Sequence, residues 1–162
     1  MAISKGDTLP EATLSRLGAD GPEQVQLRSL TTDRKVAIFA VPGAFTPTCS
    51  SAHVPSFIRT KDQFMAKGVD EIICVSVNDV FVMQAWGEAT GATAAGLTLL
   101  ADGDSSFTKA LGMEFTAPPV GLMSRSKRYA MLVDNGVITA LNEESNPGEC
   151  DISGGEALLD AV

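Results

Sequence analysis

The sequence predicts a single α/β domain with a mixed central β-sheet flanked by helices. Three observations indicate this fold class: short apolar runs, helical segments between them, and an Asn-Gly turn signal near the C-terminus. The 162 residues suit one domain spanning residues 1–162, and no repeat, low-complexity tract or linker divides them. Apolar residues make up 44% of the chain, which is enough for one substantial core.

The apolar runs are short and continuous, which is typical of strands buried on both faces of a sheet. The predicted strands are Lys35–Val41, Glu71–Val77, Leu97–Ala101, Arg128–Val133 and Val137–Leu141. The last two flank Asp134-Asn135-Gly136, a strong signal for a β-hairpin. The order of three βα units, a hairpin and a final helix therefore predicts a mixed sheet between helical layers.

The helix that follows the first strand has clear start and stop signals. Thr46 is an acceptable N-cap, Pro47 suits the first helical position, and Gly68 can end the helix. We therefore expect a helix over 48–67, kinked at Pro55. The other predicted helices are Val80–Thr90, Asp104–Gly112 and Ser153–Ala161.

The charge of the chain excludes some classes of partner. Twelve basic and 20 acidic residues give a formal net charge of −8, which disfavours binding to nucleic acid or to an anionic membrane surface. No apolar run approaches the roughly 20 residues that a membrane-spanning helix needs. We expect neither a nucleic-acid partner nor a membrane partner.

The cysteines are Cys49, Cys74 and Cys150, and an odd number of thiols is not the pattern of a secreted disulfide scaffold. No C-x2-C pair is present and His53 is the only histidine, so the spacing does not suit zinc. No metal, flavin or nucleotide site is visible, and we expect no cofactor. Free thiols indicate a reducing compartment, the cytoplasm or an organelle, which includes the chloroplast stroma if a transit peptide has been removed.

Cys49 occupies the position where the sequence best supports a reactive thiol. It follows the predicted Thr46-Pro47 helix start, where unpaired N–H groups and the positive end of the helix dipole favour a thiolate. The preceding strand ends at Val41, so Cys49 should lie beyond the C-terminal edge of the sheet, where α/β proteins commonly hold their active sites.

The run Pro42–Ser50 resembles the peroxidatic-cysteine motif of the peroxiredoxins, P-x(3)-T-x(2)-C, and Phe45–Phe57 is similar to the type II, or peroxiredoxin-5, branch. The similarity continues through Val75–Asp79, Phe81–Val82, Ala85–Trp86, Leu99–Asp102 and Ser126–Tyr129, and so covers most of the chain. This resemblance implies a thioredoxin-like fold and a thiol-specific peroxidase that reduces hydrogen peroxide and organic hydroperoxides. It also implies a non-covalent homodimer.

The resemblance also implies roles for four residues. Cys49 would attack the peroxide and become a sulfenic acid, Thr46 would hydrogen-bond the sulfur and the peroxide, Pro42 would shield the thiolate, and Arg128 would stabilise the negative charge. Each residue also has a purely structural interpretation, as an inert thiol, a helix cap, a turn residue or a surface cation. Arg125 is a neighbouring alternative to Arg128.

The sequence gives two candidates for a resolving thiol. Cys74 lies in a predicted buried strand, where it could equally be a small core residue, and Cys150 lies in a polar, turn-rich segment that should be exposed. Neither is obviously placed to reach Cys49, so the simplest hypothesis is an external reductant, either glutathione with glutaredoxin or thioredoxin, acting through a mixed disulfide.

Three other functions of a reactive cysteine are alternatives to a peroxidase. A peroxide-sensing signalling protein would oxidise Cys49 without sustained turnover. A general disulfide oxidoreductase would need a Cys-x-x-Cys pair, which the chain lacks. A Cys–His dyad of the hydrolase type is conceivable because His53 lies four residues after Cys49, on the same face of the predicted helix.

Overall fold

A computed structural model describes residues 2–162 and contains a mixed seven-stranded sheet in the order β2-β1-β5-β4-β3-β8-β9. A two-stranded sheet of β6 and β7 lies apart from it. The strands are β1 Thr13–Gly18, β2 Gly21–Gln26, β3 Lys35–Val41, β4 Glu71–Ser76, β5 Thr98–Ala101, β6 Glu114–Ala117, β7 Leu122–Ser126, β8 Tyr129–Asp134 and β9 Val137–Glu143. This confirms the predicted thioredoxin-like fold with a mixed central sheet.

The helices are α1 Leu27–Thr31, α2 Val54–Ala66, α3 Val80–Thr90, α4 Ser106–Ala110 and α5 Gly155–Leu159. A π-helical turn, Cys49–His53, precedes α2, and a 3-10 turn, Pro118–Val120, precedes β7. No helix among residues 2–162 is long and apolar enough to cross a membrane.

Strand β3 lies in the interior of the sheet, where it pairs in parallel with β4 and antiparallel with β8. Six of its seven residues are buried because the strand packs on both faces, which explains its continuous apolar sequence. Phe39 joins one core layer with α2 and α3, whereas Ile38 joins the opposite layer with β8 and α4. The predicted hairpin is also confirmed, since Asn135 and Gly136 both adopt the positive φ angles of a type I′ turn.

The helix predicted over 48–67 differs in its first turns. Ser50 N donates to Thr46 O, so helical bonding begins after Thr46 as expected. The segment then widens into the π-helical turn, in which Val54 N donates to Cys49 O. Pro55, which we expected to kink the helix, lies in the first turn of α2 directly after this wide turn, where a missing N–H is tolerated.

The sequence did not indicate the hairpin β1–β2, the helix α1 or the pair β6–β7. Gly and Pro begin β2, and β1 and β2 each bury only one residue, so neither has the buried apolar run that identified the central strands. Other elements differ only at their ends. The helix predicted from Asp104 is Ser106–Ala110, the final helix is Gly155–Leu159, and Arg128 lies just before β8 rather than inside it.

Candidate active site

The candidate site lies at the edge of the sheet where β3 ends and β8 begins. Ala40, near the end of β3, pairs with Tyr129, the first residue of β8. Arg128 therefore emerges at the same edge as the loop that leads from β3 to Cys49. Two residues 79 positions apart in sequence are brought together by this antiparallel pairing.

Cys49 is fully buried, and two donors contact its sulfur. Thr46 Oγ1 lies 2.8 Å from Cys49 Sγ, and Arg128 Nη2 lies 3.1 Å from it. Burial alone would also fit an inert core thiol. A guanidinium, however, has donors only and always carries its charge, so its contact with Sγ favours a negatively charged sulfur.

Thr46 is suited to both protonation states of the sulfur. Its Oγ1 is 2.7 Å from Gly43 O as well as 2.8 Å from Cys49 Sγ, but a hydroxyl has a single proton to donate. When Cys49 is a thiol, its S–H can donate to Oγ1 while the hydroxyl donates to Gly43 O. When Cys49 is a thiolate, the hydroxyl can turn and donate to the sulfur.

Arg128 is 1% exposed and has three partners, one for each nitrogen of its guanidinium. Nε donates to Pro147 O at 3.0 Å, Nη1 lies 2.9 Å from His53 Nδ1, and Nη2 donates to Cys49 Sγ. Arginine carries five N–H donors, so these contacts leave one N–H on Nη1 and one on Nη2 for another acceptor.

His53 is held neutral, because Nδ1 can only accept from Arg128 and Nε2, at 2.9 Å, donates to Ser153 O. Burial and the charge of Arg128 lower the pKa of His53 to about 3, although the bond to Ser153 opposes this. The lone pair of the ring is thus committed to Arg128. This arrangement argues against the Cys–His dyad, in which His53 would accept the thiol proton.

The segment 144–153 closes over this side of the site. The Glu144 carboxylate is buried and accepts bonds from Asp151 N, Ser153 N and Ser153 Oγ. Burial raises the pKa of Glu144, but these hydrogen bonds and the charge of Arg128 outweigh it and hold the pKa below its usual range. Thr48 Oγ1 adds a 2.8 Å bond to Gly148 O. The loop is therefore anchored next to Cys49 itself.

Pro42 begins the loop that leads from β3 to Cys49, and Arg125 lies close to Gly43 in that loop. Pro42 is buried directly after β3. Arg125 is half-buried, and a Cβ on Gly43 would lie 2.8 Å from its Nη1, so the guanidinium would have to move if residue 43 carried a side chain. Between the two candidate arginines, it is Arg128 that contacts the sulfur.

The other two cysteines occupy different environments. Cys74 is fully buried in β4, in the same core layer as Cys49, and burial raises its pKa well above the usual range. We expected Cys150 to be exposed, but it is half-buried because its loop packs on the site. Partial burial raises the pKa of Cys150, so it is predominantly a thiol at neutral pH. All three cysteines are free.

Sequence reasoning missed several residues that hold the site together. His53, Glu144 and Ser153 were not identified as supports of Arg128, and Trp86, whose Nε1 donates to Ser50 Oγ, was not linked to the loop of Cys49. The bonds of His53 to Arg128 and Ser153 span 75 and 100 residues and that of Trp86 to Ser50 spans 36, so local sequence patterns carried no signal for these contacts. Within residues 2–162, no group of three or more His, Cys, Asp or Glu side chains is arranged to hold a metal ion.

Comparison with known proteins agrees with this geometry. A family model described as Redoxin matches residues 4–159. Peroxiredoxin-2C of rice, Oryza sativa subsp. japonica, is 47% identical, with 99% of this chain and 98% of the rice protein covered. The chain belongs to the redoxin family, among the type II peroxiredoxins.

Two further proteins are similar to this peroxiredoxin at slightly higher sequence identity. Peroxiredoxin-2E-2 of rice, named chloroplastic, is 50% identical over 99% of this chain and 72% of its own length. The solved structure of reduced Prx3 from Vibrio vulnificus in complex with hydrogen peroxide is 53% identical, with a TM-score of 0.91 and 98% of each chain covered. The peroxiredoxin is therefore a thiol peroxidase by family.

Proposed function

We propose that Cys49 is the nucleophile with which this peroxiredoxin reduces hydrogen peroxide and organic hydroperoxides. The convergence of Thr46 Oγ1 and Arg128 Nη2 on Cys49 Sγ is the observation that supports this proposal. The thiolate attacks the terminal oxygen of the peroxide and the O–O bond breaks. Sulfur gains the oxygen as a sulfenic acid, and the leaving oxygen takes a proton and departs as water or an alcohol.

The residues around Cys49 are suited to stabilise this step. Negative charge develops on the leaving oxygen as the O–O bond breaks, and fixed donors aimed at that oxygen lower the barrier. The N–H groups of Arg128 that have no protein partner, and the hydroxyl of Thr46, supply such donors. In this proposal Pro42, which is buried at the start of the same loop, shields the thiolate from water.

The sulfenic acid is reduced by an external thiol in this proposal. Glutathione or a thiol of glutaredoxin or thioredoxin attacks the sulfur, water leaves, and a second thiol cleaves the mixed disulfide to regenerate the Cys49 thiolate. Cys74 is fully buried in β4, and Cys150 is held in the anchored segment 144–153, so neither thiol is free to approach Cys49 without a rearrangement. The three free thiols fit a reducing compartment, either the cytoplasm or an organelle.

The decisive experiment measures peroxide consumption by the wild-type protein and by Cys49→Ser, with glutaredoxin and thioredoxin supplied separately. Wild type should turn over with at least one reductant, and Cys49→Ser should lose turnover. Full activity in Cys49→Ser contradicts the proposal, whereas a single oxidation of Cys49 without turnover favours a peroxide sensor.

A second experiment identifies the resolving thiol. The double variant Cys74→Ser, Cys150→Ser should retain turnover with the external reductant that supports the wild type. If turnover collapses while Cys49 still oxidises, one of the two cysteines resolves the sulfenic acid, and the single variants identify which.

We further infer a non-covalent homodimer of single-domain chains. Four apolar side chains are each at least 57% exposed; we call them the apolar rim, and they are Phe45, Phe81, Val120 and Met123. Phe45 precedes Thr46 in the loop, and the segment with Val120 and Met123 contains Leu122, which would lie 3.9 Å from a Cβ on Gly43. Ala44 N donates to Asn78 Oδ1, which brings Phe45 towards the start of α3 and Phe81. Exposed apolar patches of this kind are typical of protein interfaces.

A further inference from the structure

Both ring nitrogens of His53 have a hydrogen-bond partner, and the ring has a fixed orientation. It is 0% exposed, Nδ1 faces Arg128 Nη1, and Nε2 faces Ser153 O. The ring packs against Phe39, with 4.8 Å between centroids, and against Phe57, with 5.8 Å. The backbone carbonyl of Ser153 accepts only a donor, so Nε2 must carry the proton and Nδ1 must carry the lone pair.

The lone pair on His53 Nδ1 helps to fix the position of the Arg128 guanidinium. Nε of Arg128 is bound to Pro147 O and Nη1 is bound to His53 Nδ1. Because the guanidinium is planar and rigid, fixing these two nitrogens also fixes where Nη2 points, which is at Cys49 Sγ. Without an acceptor at Nδ1, a buried N–H would lose its partner, and the guanidinium would shift to find another.

We propose that His53 is a positioning residue, a neutral acceptor that holds Arg128 so that Nη2 contacts the sulfur of Cys49. His53 acts through Arg128 and takes no proton from the thiol. The Ser153 carbonyl fixes the tautomer in which His53 Nδ1 can accept. Glu144 in turn holds Ser153, because its carboxylate accepts from Ser153 N and Oγ. The inference rests on the proposed role of Arg128 in the reaction.

Two amide substitutions separate the functions of the two ring nitrogens. In His53→Asn the amide oxygen can occupy the place of Nδ1 and accept from Arg128, whereas in His53→Gln the longer side chain places its N–H near Nε2, within reach of Ser153 O. A third variant, His53→Phe, keeps the ring packing and removes both bonds. We expect the second-order rate of Cys49 oxidation by hydrogen peroxide to fall about tenfold or more in His53→Phe and His53→Gln. His53→Asn should recover a large part of the loss.

A double-mutant cycle distinguishes positioning from a general loss of structure. If His53 acts through Arg128, His53→Phe should slow the Arg128→Lys protein by less than about twofold, because the group that it positions is already absent. Thermal unfolding of every variant provides the structural readout. Equal rates in His53→Gln and His53→Asn, or the same rate loss in both backgrounds, would overturn the inference. Failure of the proposed function itself would appear differently, as unchanged turnover in Cys49→Ser.

Discussion

The sulfur of Cys49 depends on a guanidinium that uses each of its three nitrogens for a different partner. Nε, Nη1 and Nη2 of Arg128 contact Pro147 O, His53 Nδ1 and Cys49 Sγ, respectively. A point charge alone would satisfy the sulfur but not the other two acceptors. The geometry therefore requires arginine rather than any cation.

We predict that Arg128→Lys is nearly as damaging as Arg128→Met. Lysine keeps the charge but offers one nitrogen, so it cannot bridge the loop, His53 and the sulfur together. The rate of Cys49 oxidation by peroxide should fall about 10²-fold in both variants, as for the loss of an oxyanion donor. Stopped-flow oxidation measures this, with Arg125→Lys, three residues away in β7, as the matched control. A rate for Arg128→Lys close to that of wild type would show that charge alone suffices.

His53 also couples the stability of the fold to pH. The pKa of His53 is lowered to about 3 in the folded protein, so between its ordinary pKa and that value only the unfolded chain takes up the proton. Wild-type stability from this group is therefore complete above about pH 6.5 and declines as the pH falls.

The corresponding prediction compares the wild-type protein with His53→Asn, which cannot titrate. The free energy of unfolding of the wild type should fall more steeply between about pH 6.5 and pH 4 than that of the variant, so their difference should shrink in acid. Urea denaturation at several pH values measures the two slopes. Parallel slopes would mean that the imidazole takes up its proton as readily in the folded protein as in the unfolded chain.

At the scale of elements, the segment 144–153 acts as a strap over the site. It has no regular structure, and a buried carboxylate, Glu144, holds three of its donors, while Pro147 O and Gly148 O accept from Arg128 and Thr48. Its order comes from these contacts rather than from a helix or strand, which is why its sequence looked like an exposed turn.

We predict that Glu144→Gln loosens this strap. A neutral amide accepts weaker bonds than a carboxylate and presents an N–H in place of one oxygen, so the three donors of residues 151 and 153 lose strength. Alkylation of Cys150 should become several-fold faster, and amide hydrogen exchange at Asp151 and Ser153 should accelerate.

The exposed Glu149 in the same loop provides the control, since Glu149→Gln removes the same charge without touching the clamp. Equal alkylation rates in the two variants would mean that charge, not the hydrogen-bond clamp, governs access to Cys150.

The elements that the sequence predicted well are those buried on both faces. Strands β3, β4 and β8 are almost wholly apolar because helices and loops cover both sides of them, and that pattern is local. Strands β1 and β2 each bury a single residue, so pairing rather than composition defines them. The π-helical turn at Cys49–His53 was missed for a related reason, because no local pattern distinguishes it from an ordinary helix start.

The candidate site also combines features that a local sequence pattern predicts with features that depend on the fold. The motif from Pro42 to Cys49 is contiguous, so the loop and its thiol were apparent in the sequence. Arg128 came only through the family resemblance, and the support from His53 and Ser153 depends on three segments meeting in space. Contacts of this kind follow from the fold and are not encoded in residue spacing.

The whole molecule has an acidic surface, with a net charge of −8, yet exposes the apolar rim near the candidate active site. Like charge disfavours association in general, so a dimer requires an interface that buries apolar surface. The rim is the surface that supplies it in this proposal. Dimerisation would then cover part of the approach to Cys49 as well.

We predict that Phe81→Glu converts the proposed dimer to a monomer, because a carboxylate in an apolar interface loses its hydration without gaining a partner. Sedimentation velocity should show the change in mass, and circular dichroism should stay the same since Phe81 is 64% exposed. Val137→Glu is the matched control. Val137 is also exposed but begins β9, at the opposite end of the sheet from Cys49, because Asp134 pairs with Lys35 at the start of β3. Dissociation by Val137→Glu but not by Phe81→Glu would place the interface at the opposite edge, away from the catalytic loop.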